Sequence, residues 1–211
     1  MKVQPWFPTP VFVDYLQEPR LEVIQDELFN MFNKQRAGMS HRQNPTEANT
    51  HLLTDPSFNC NVLGEYQCMK FMEFLNESVR DYVSTVGANN RWVADFAVVN
   101  SWCTLTRKGE YAALHDHVNA DIAGVYYLQT TGDDGDFYFK SPNEVLSHNY
   151  TFQHVPTAQS IRPQVGQLML WPGFMWHGTH VNPHDTDRIS ISFNLQVKRW
   201  WQDPLFGSNP G

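Results

Sequence analysis

The chain has 211 residues, 41% of them hydrophobic and 14% aromatic, which is enough apolar surface for one packed domain and too much for a disordered chain. Fifteen Lys and Arg against 22 Asp and Glu leave a formal charge of −7, which argues against bulk electrostatic binding to nucleic acid or to an anionic membrane. Three cysteines, Cys60, Cys68 and Cys103, lack CxxC spacing and exclude both a disulfide scaffold and a four-cysteine zinc knuckle; they read as reduced thilos of a cytoplasmic protein that take no part in metal binding.

Residues 1–6 carry no apolar core of a signal peptide, and no apolar run approaches the roughly 18 residues of a membrane span. A short strand is expected over residues 7–15. Leu21, Ile24, Leu28 and Phe32 fall on one face of a helix over 21–32, with Glu18 and Pro19 at its start. Residues 33–61 read as a long polar loop. A second helix is expected over 63–86, with Tyr66, Met69, Met72, Leu75, Val79 and Val83 as its core stripe and Gly87 as its stop.

From Trp92 onward the texture changes to short strands separated by Pro, Gly and Asn. They are expected over 92–105, 122–129, 136–139, 150–153, 160–162, 167–171 and 188–197, with a turn at 132–135. This predicts one domain over 1–211. Its N-terminal part, 1–91, holds a strand and buttressing helices. Residues 92–200 form a β core, an antiparallel sandwich or jelly roll.

Nine histidines are present, and His115-Asp116-His117 places two of them at i and i+2. On an extended segment both point the same way, so they can grip one metal while Asp116 faces away. His177 follows an apolar strand and a Pro-Gly turn, where it can face inward from an opposite strand. His180 and His184 lie in a polar loop and read as solvated, and His41, His51, His148 and His154 have no partner at ligand spacing. The last strand alternates almost perfectly. Arg188, Ser190, Ser192, Asn194 and Gln196 form one face, and Ile189, Ile191, Phe193, Leu195 and Val197 the other. An arginine among small hydroxyls, with no Lys or Glu, suits a cavity wall that grips a carboxylate.

In their order and spacing, several stretches resemble the iron(II)- and 2-oxoglutarate-dependent oxygenase superfamily, in particular a branch of small oxygenases related to prolyl hydroxylases. They are Asn100-Ser101-Trp102, His115-Asp116-His117, Gly124-Val125-Tyr126-Tyr127-Leu128, Gly166 to Pro172, His177-Gly178 and Arg188 to Asn194. The resemblance covers roughly residues 92–197. It implies an all-β core with flanking helices (α+β), the double-stranded β-helix or cupin-like jelly roll. It also implies an oxidoreductase of the dioxygenase or hydroxylase type, using iron(II), 2-oxoglutarate and O₂, with ascorbate as a stimulant.

Residue by residue, the resemblance puts the metal on His115, His117 and His177. It puts the distal carboxylate of 2-oxoglutarate on Arg188, with Ser190 as hydroxyl companion and one of Tyr126 and Tyr127 beside it. His117 stands where the common pattern has a carboxylate, and Asp116 and Asp121 remain alternatives for that position. Arg162 and Lys140 are the rival carboxylate anchors. Trp102, Trp171 and Trp176 are expected to wall the site, and residues 33–61 and 130–135 to frame its mouth. The rival readings are a metal-dependent cupin dioxygenase or isomerase that does not use 2-oxoglutarate, and a binding module that kept the fold. The prime substrate is not legible, and a homodimer stays open.

Overall fold

The computed structural model describes residues 9–41, 52–53, 60–86, 92–143, 148 and 156–202. A short strand β1 (Phe12–Tyr15) leads into helix α1 (Arg20–Gln35). After a single 3₁₀ turn come two two-residue strands, β2 (Ser40–His41) and β3 (Leu52–Leu53). Helices α2 (Val62–Glu65) and α3 (Met69–Val86) precede the long strand β4 (Trp92–Thr106). The remaining strands are β5 (Ile122–Gln129), β6 (Phe137–Lys140), β7 (Ala158–Ile161), β8 (Gln167–Pro172), β9 (His177–Thr179) and β10 (Arg188–Gln202).

Seven strands form one sheet in the order β1-β8-β5-β10-β4-β3-β2, and three form another in the order β7-β6-β9. The pairs within both sheets are antiparallel. Two sheets with a cavity between them make the expected jelly roll, and the helices cover the outer face of the larger sheet.

Strand alternation decides which side chains serve which face. Tyr126 and Leu128 of β5, Leu168 and Leu170 of β8, and Ile191 and Phe193 of β10 pack with Leu28 and Phe32 of α1 and Phe71 and Leu75 of α3. Their neighbours Val125, Tyr127, Met169 and Trp171 join Phe137 and Phe139 of the smaller sheet in a second cluster. The pleat therefore splits each strand between two cores. Gly124 lies on the helix side, where a Cβ would overlap the Phe193 ring.

The expected single helix over 63–86 is two. Cys68 N–H donates to the Leu63 carbonyl and Gln67 N–H to that of Gly64, while Gln67 takes a positive φ of 51°. That is a Schellman stop, which ends α2 and rephases the following helix. The expected stripe is corrected accordingly. Tyr66 and Met69 are exposed, Leu75 and Val79 are buried as expected, Met72 and Val83 pack partly buried against the core, and α3 adds Phe71, Phe74, Ser78 and Tyr82 to its buried face. On α1, Ile24, Leu28 and Phe32 are buried as the periodicity indicates. The strand expected over 150–153, the stop at Gly87, His51 and His154 lie outside the described residues.

Candidate active site

Two turns bring the three histidines together. His115 lies between β4 and β5 and exchanges both backbone hydrogen bonds with His177 at 2.9 and 2.8 Å, an antiparallel bridge at the start of β9. His117 N–H donates to the Gly173 carbonyl at 2.8 Å. Gly173 is required for this approach, because a Cβ there would run into the carbonyl oxygens of Ala120 and His117. The three imidazoles then offer ligand nitrogens that all lie within 4.8 Å of one another. Ring centroids are separated by 5.1 Å for His115 and His117, 4.4 Å for His115 and His177, and 5.0 Å for His117 and His177.

Backbone carbonyls orient two of these rings. Nδ1 of His115 is 2.7 Å from the Ala113 oxygen, and Nδ1 of His177 is 2.8 Å from that of Met175. A carbonyl only accepts, so each Nδ1 donates, and in the neutral ring Nε2 then keeps its lone pair. Burial pushes His117 down to about 3, with repulsion from His115 adding to it. Burial also holds His177 well below the usual imidazole range, again with the neighbouring imidazoles contributing. Imidazoles whose ring nitrogens converge on one point are the donor set that a first-row metal ion needs, so the residues fit iron(II). Neither Asp116 nor Asp121 joins the cluster. Asp121 instead accepts a hydrogen bond from Val197 N–H at 2.7 Å.

The cluster opens into a cavity of about 980 Å³ whose wall includes Trp102, Tyr127, Arg188, Ser190, Ser192 and Asn194. Arg188 is 2% exposed, a burial that a guanidinium tolerates only when its donors are satisfied. Nη1 donates to the carbonyls of Asp134 and Gly135 at 2.8 and 2.6 Å, and Nη2 to Thr179 Oγ1 at 3.0 Å. The Asp134 carboxylate, fully buried, lies 4.0 Å from Nη1. It also accepts from Thr130 Oγ1 at 2.7 Å and Thr131 N–H at 2.9 Å. The turn 130–135, expected at the mouth, thus wraps the buried arginine. Gly135 has φ +100°, and a Cβ there would overlap the His180 carbonyl, so only glycine suits this position.

The two tyrosines separate by parity. Tyr127 faces the cavity, and burial raises its pKa with Arg188 opposing. Tyr126 points the other way, against Phe71 at 5.1 Å, so its expected place beside the carboxylate is corrected. Ser190 lines the cavity, whereas Arg162 is exposed and neither it nor Lys140 does. Trp102 stacks on His117 at 5.9 Å and Trp171 meets His177 edge-on at 4.8 Å. Trp176, 48% exposed, sits at the rim. His180 is exposed and stacks on Tyr138, while His184 pairs with Asp133 at 3.1 Å. The described part of 33–61 adds β2 and β3 to the edge beyond β4. Cys60, Cys68 and Cys103 are in no disulfide and lie outside the histidine cluster.

Asp134 and Thr179 are the site residues that the sequence reading missed. Thr179 was within reach, because it stands at i+2 from His177 and shares its side of β9. Asp134 was hidden in a Gly-Asp-rich turn that reads as solvated.

A jelly roll with three converging imidazoles and a buried arginine in one cavity has the build of a mononuclear metal enzyme. Residues 100–194 match the model of a family described as "Putative 2OG-Fe(II) oxygenase". That match spans most of the β core, and the family's description names iron(II) and 2-oxoglutarate. No curated protein matches the sequence.

Solved structures carry the same fold. A prolyl-4-hydroxylase from Pseudomonas putida is 13% identical, with 89% of this chain and 94% of that one covered and a TM-score of 0.56. A prolyl hydroxylase from Trichoplax adhaerens, in complex with a hypoxia inducible factor peptide fragment, is 13% identical over 94% and 87% at a TM-score of 0.58. HygX from Streptomyces hygroscopicus, with nickel and 2-oxoglutarate bound, is 12% identical over 90% and 83% at 0.57. At these identities the likeness is one of fold. Nothing among the matches supports the cupin alternative.

Proposed function

We propose that His115, His117 and His177 hold iron(II) and that Arg188 receives the distal carboxylate of 2-oxoglutarate. The enzyme then hydroxylates a C–H bond of its prime substrate in the cytoplasm. The observation that carries this reading is that three converging imidazoles and a buried guanidinium face one cavity. The iron supplies the redox chemistry by which 2-oxoglutarate, O₂ and R–H become succinate, CO₂ and R–OH.

The chain's own residues set the geometry for that exchange. The Ala113 and Met175 carbonyls aim the imidazole lone pairs. Arg188, clamped by the 130–135 turn, fixes the far end of the keto acid and so directs its reacting end toward the histidines. Ser190 and Tyr127 add hydroxyl donors on the same wall. Trp102, Trp171 and Phe137 exclude water around the rings of His117 and His177.

The test is succinate release from 2-oxoglutarate with added iron(II), ascorbate and O₂. Slow turnover without prime substrate, abolished in His177→Ala, is the expected result. Absence of both turnover and 2-oxoglutarate binding across all iron(II) concentrations would reject the reading.

A further inference from the structure

We propose that Thr179 is a further, pre-aimed donor to the distal carboxylate of the keto acid, and that it helps the cavity discriminate dicarboxylates from monocarboxylates. The inference rests on the assignment of Arg188 made above. Its basis is hydrogen-bond accounting at one oxygen. Thr179 Oγ1 accepts from Ala112 N–H at 2.9 Å and from Arg188 Nη2 at 3.0 Å. Neither partner can accept, because a backbone N–H and a guanidinium are donors only. A hydroxyl oxygen has two acceptor sites and one proton. With both acceptor sites filled by fixed donors, the proton is confined to the remaining tetrahedral direction, and no described residue accepts it.

Position gives that proton its purpose. Thr179 shares the inward side of β9 with His177 and lines the same cavity as Arg188, Ser190 and Tyr127. Its backbone is held as firmly as its hydroxyl, since Thr179 N–H donates to the Ala112 carbonyl at 2.9 Å. Ser190 also presents a hydroxyl, but no hydrogen bond among the described residues fixes that rotor. Thr179 therefore offers a donor whose orientation is set before any ligand arrives. The Arg188 guanidinium spends both protons of Nη1 on the turn carbonyls and one proton of Nη2 on Thr179. The threonine hydroxyl restores to an incoming carboxylate a donor that the arginine has committed to the protein.

The experiment titrates the anaerobic iron(II) protein with 2-oxoglutarate and, separately, with 2-oxopentanoate, which lacks the distal carboxylate. Binding is followed by the metal-to-ligand charge-transfer band, and metal content is measured in parallel. Thr179→Val should raise the 2-oxoglutarate Kd about 10-fold. The 2-oxopentanoate Kd should change less than about two-fold, and metal content should be unchanged. Thr179→Ser, which keeps the hydroxyl, should restore parental affinity. If Thr179→Val fails to fold, Thr179→Ala carries the same comparison. Equal weakening toward both acids would show a merely structural residue, and unchanged 2-oxoglutarate binding would overturn the assignment. A parent protein that does not bind 2-oxoglutarate at all would instead reject the function proposed above.

Discussion

Asp134→Asn should separate stability from cosubstrate affinity, moving them in opposite directions. The Asp134 carboxylate is fully buried and 4.0 Å from Arg188 Nη1. At an effective dielectric constant near 20, unit charges that close attract by about 4 kcal/mol. Asparagine keeps the shape, an acceptor for Thr131 N–H and a polar partner for Thr130, but removes the charge. Relief of carboxylate desolvation offsets part of the loss, leaving a destabilisation of about 3 kcal/mol, toward the lower end for stripping one partner from a buried pair. That corresponds to a Tm lower by roughly 6–12 °C.

Affinity for 2-oxoglutarate should rise. In the parent protein the incoming carboxylate meets a guanidinium already balanced by Asp134 and is repelled by it. At twice the Asp134–Arg188 separation that repulsion is about 2 kcal/mol, which corresponds to roughly 30-fold in Kd before screening by the polar wall. A 3- to 30-fold tighter charge-transfer titration is expected. Weaker binding in Asp134→Asn would refute the charge argument and leave Asp134 as a residue that only orients the arginine.

Arg188→Ala should weaken 2-oxoglutarate binding by roughly 30- to 1,000-fold, because a charge-assisted contact is lost in a shielded site. Metal content should hold, and Arg188→Lys should recover only part of the affinity, since an ammonium cannot reach two turn carbonyls, Thr179 and a ligand at once. His177→Ala should lose bound metal on direct analysis, and undiminished metal would remove His177 from the site. Tyr126→Phe deletes a buried hydroxyl with no hydrogen-bond partner among the described residues, so denaturant unfolding should show stability unchanged or raised by about 1 kcal/mol, with 2-oxoglutarate affinity unaffected. Tyr127→Phe should weaken 2-oxoglutarate binding several-fold in the same titration.

The β core was legible because its strands are half-buried on two unlike faces. In residues 188–197 the parity of polar and apolar side chains marked both the cavity wall and the helix-facing core before any contact was known. The His115–His117 pair was visible for the same reason. Tyr126 and Tyr127 could not be separated, because both are apolar-bodied residues with a polar tip, and only the register Ser190↔Tyr127 and Ile191↔Tyr126 assigns them to opposite faces. The break at Gln67 escaped notice because glutamine is a good helix former and nothing local announces its left-handed conformation. Asp134 was misplaced because turn composition favours solvent, whereas its neighbours Thr130 and Thr131 and the arginine from β10 enclose it.

The division of β10 by parity also shapes how such a chain can evolve. Ile189, Ile191, Phe193 and Leu195 answer to the helices, while Arg188, Ser190, Ser192 and Asn194 answer to the cavity. Substitutions in the second set can drift toward new substrates without disturbing the packing of the first. The constraint on that drift lies at the end of the strand nearest the turn, where Arg188 is tied to Asp134, Gly135 and Thr179. Ser192, Asn194 and Gln196 carry no such tie to that turn, so diversification among relatives should concentrate there and fade toward residue 188.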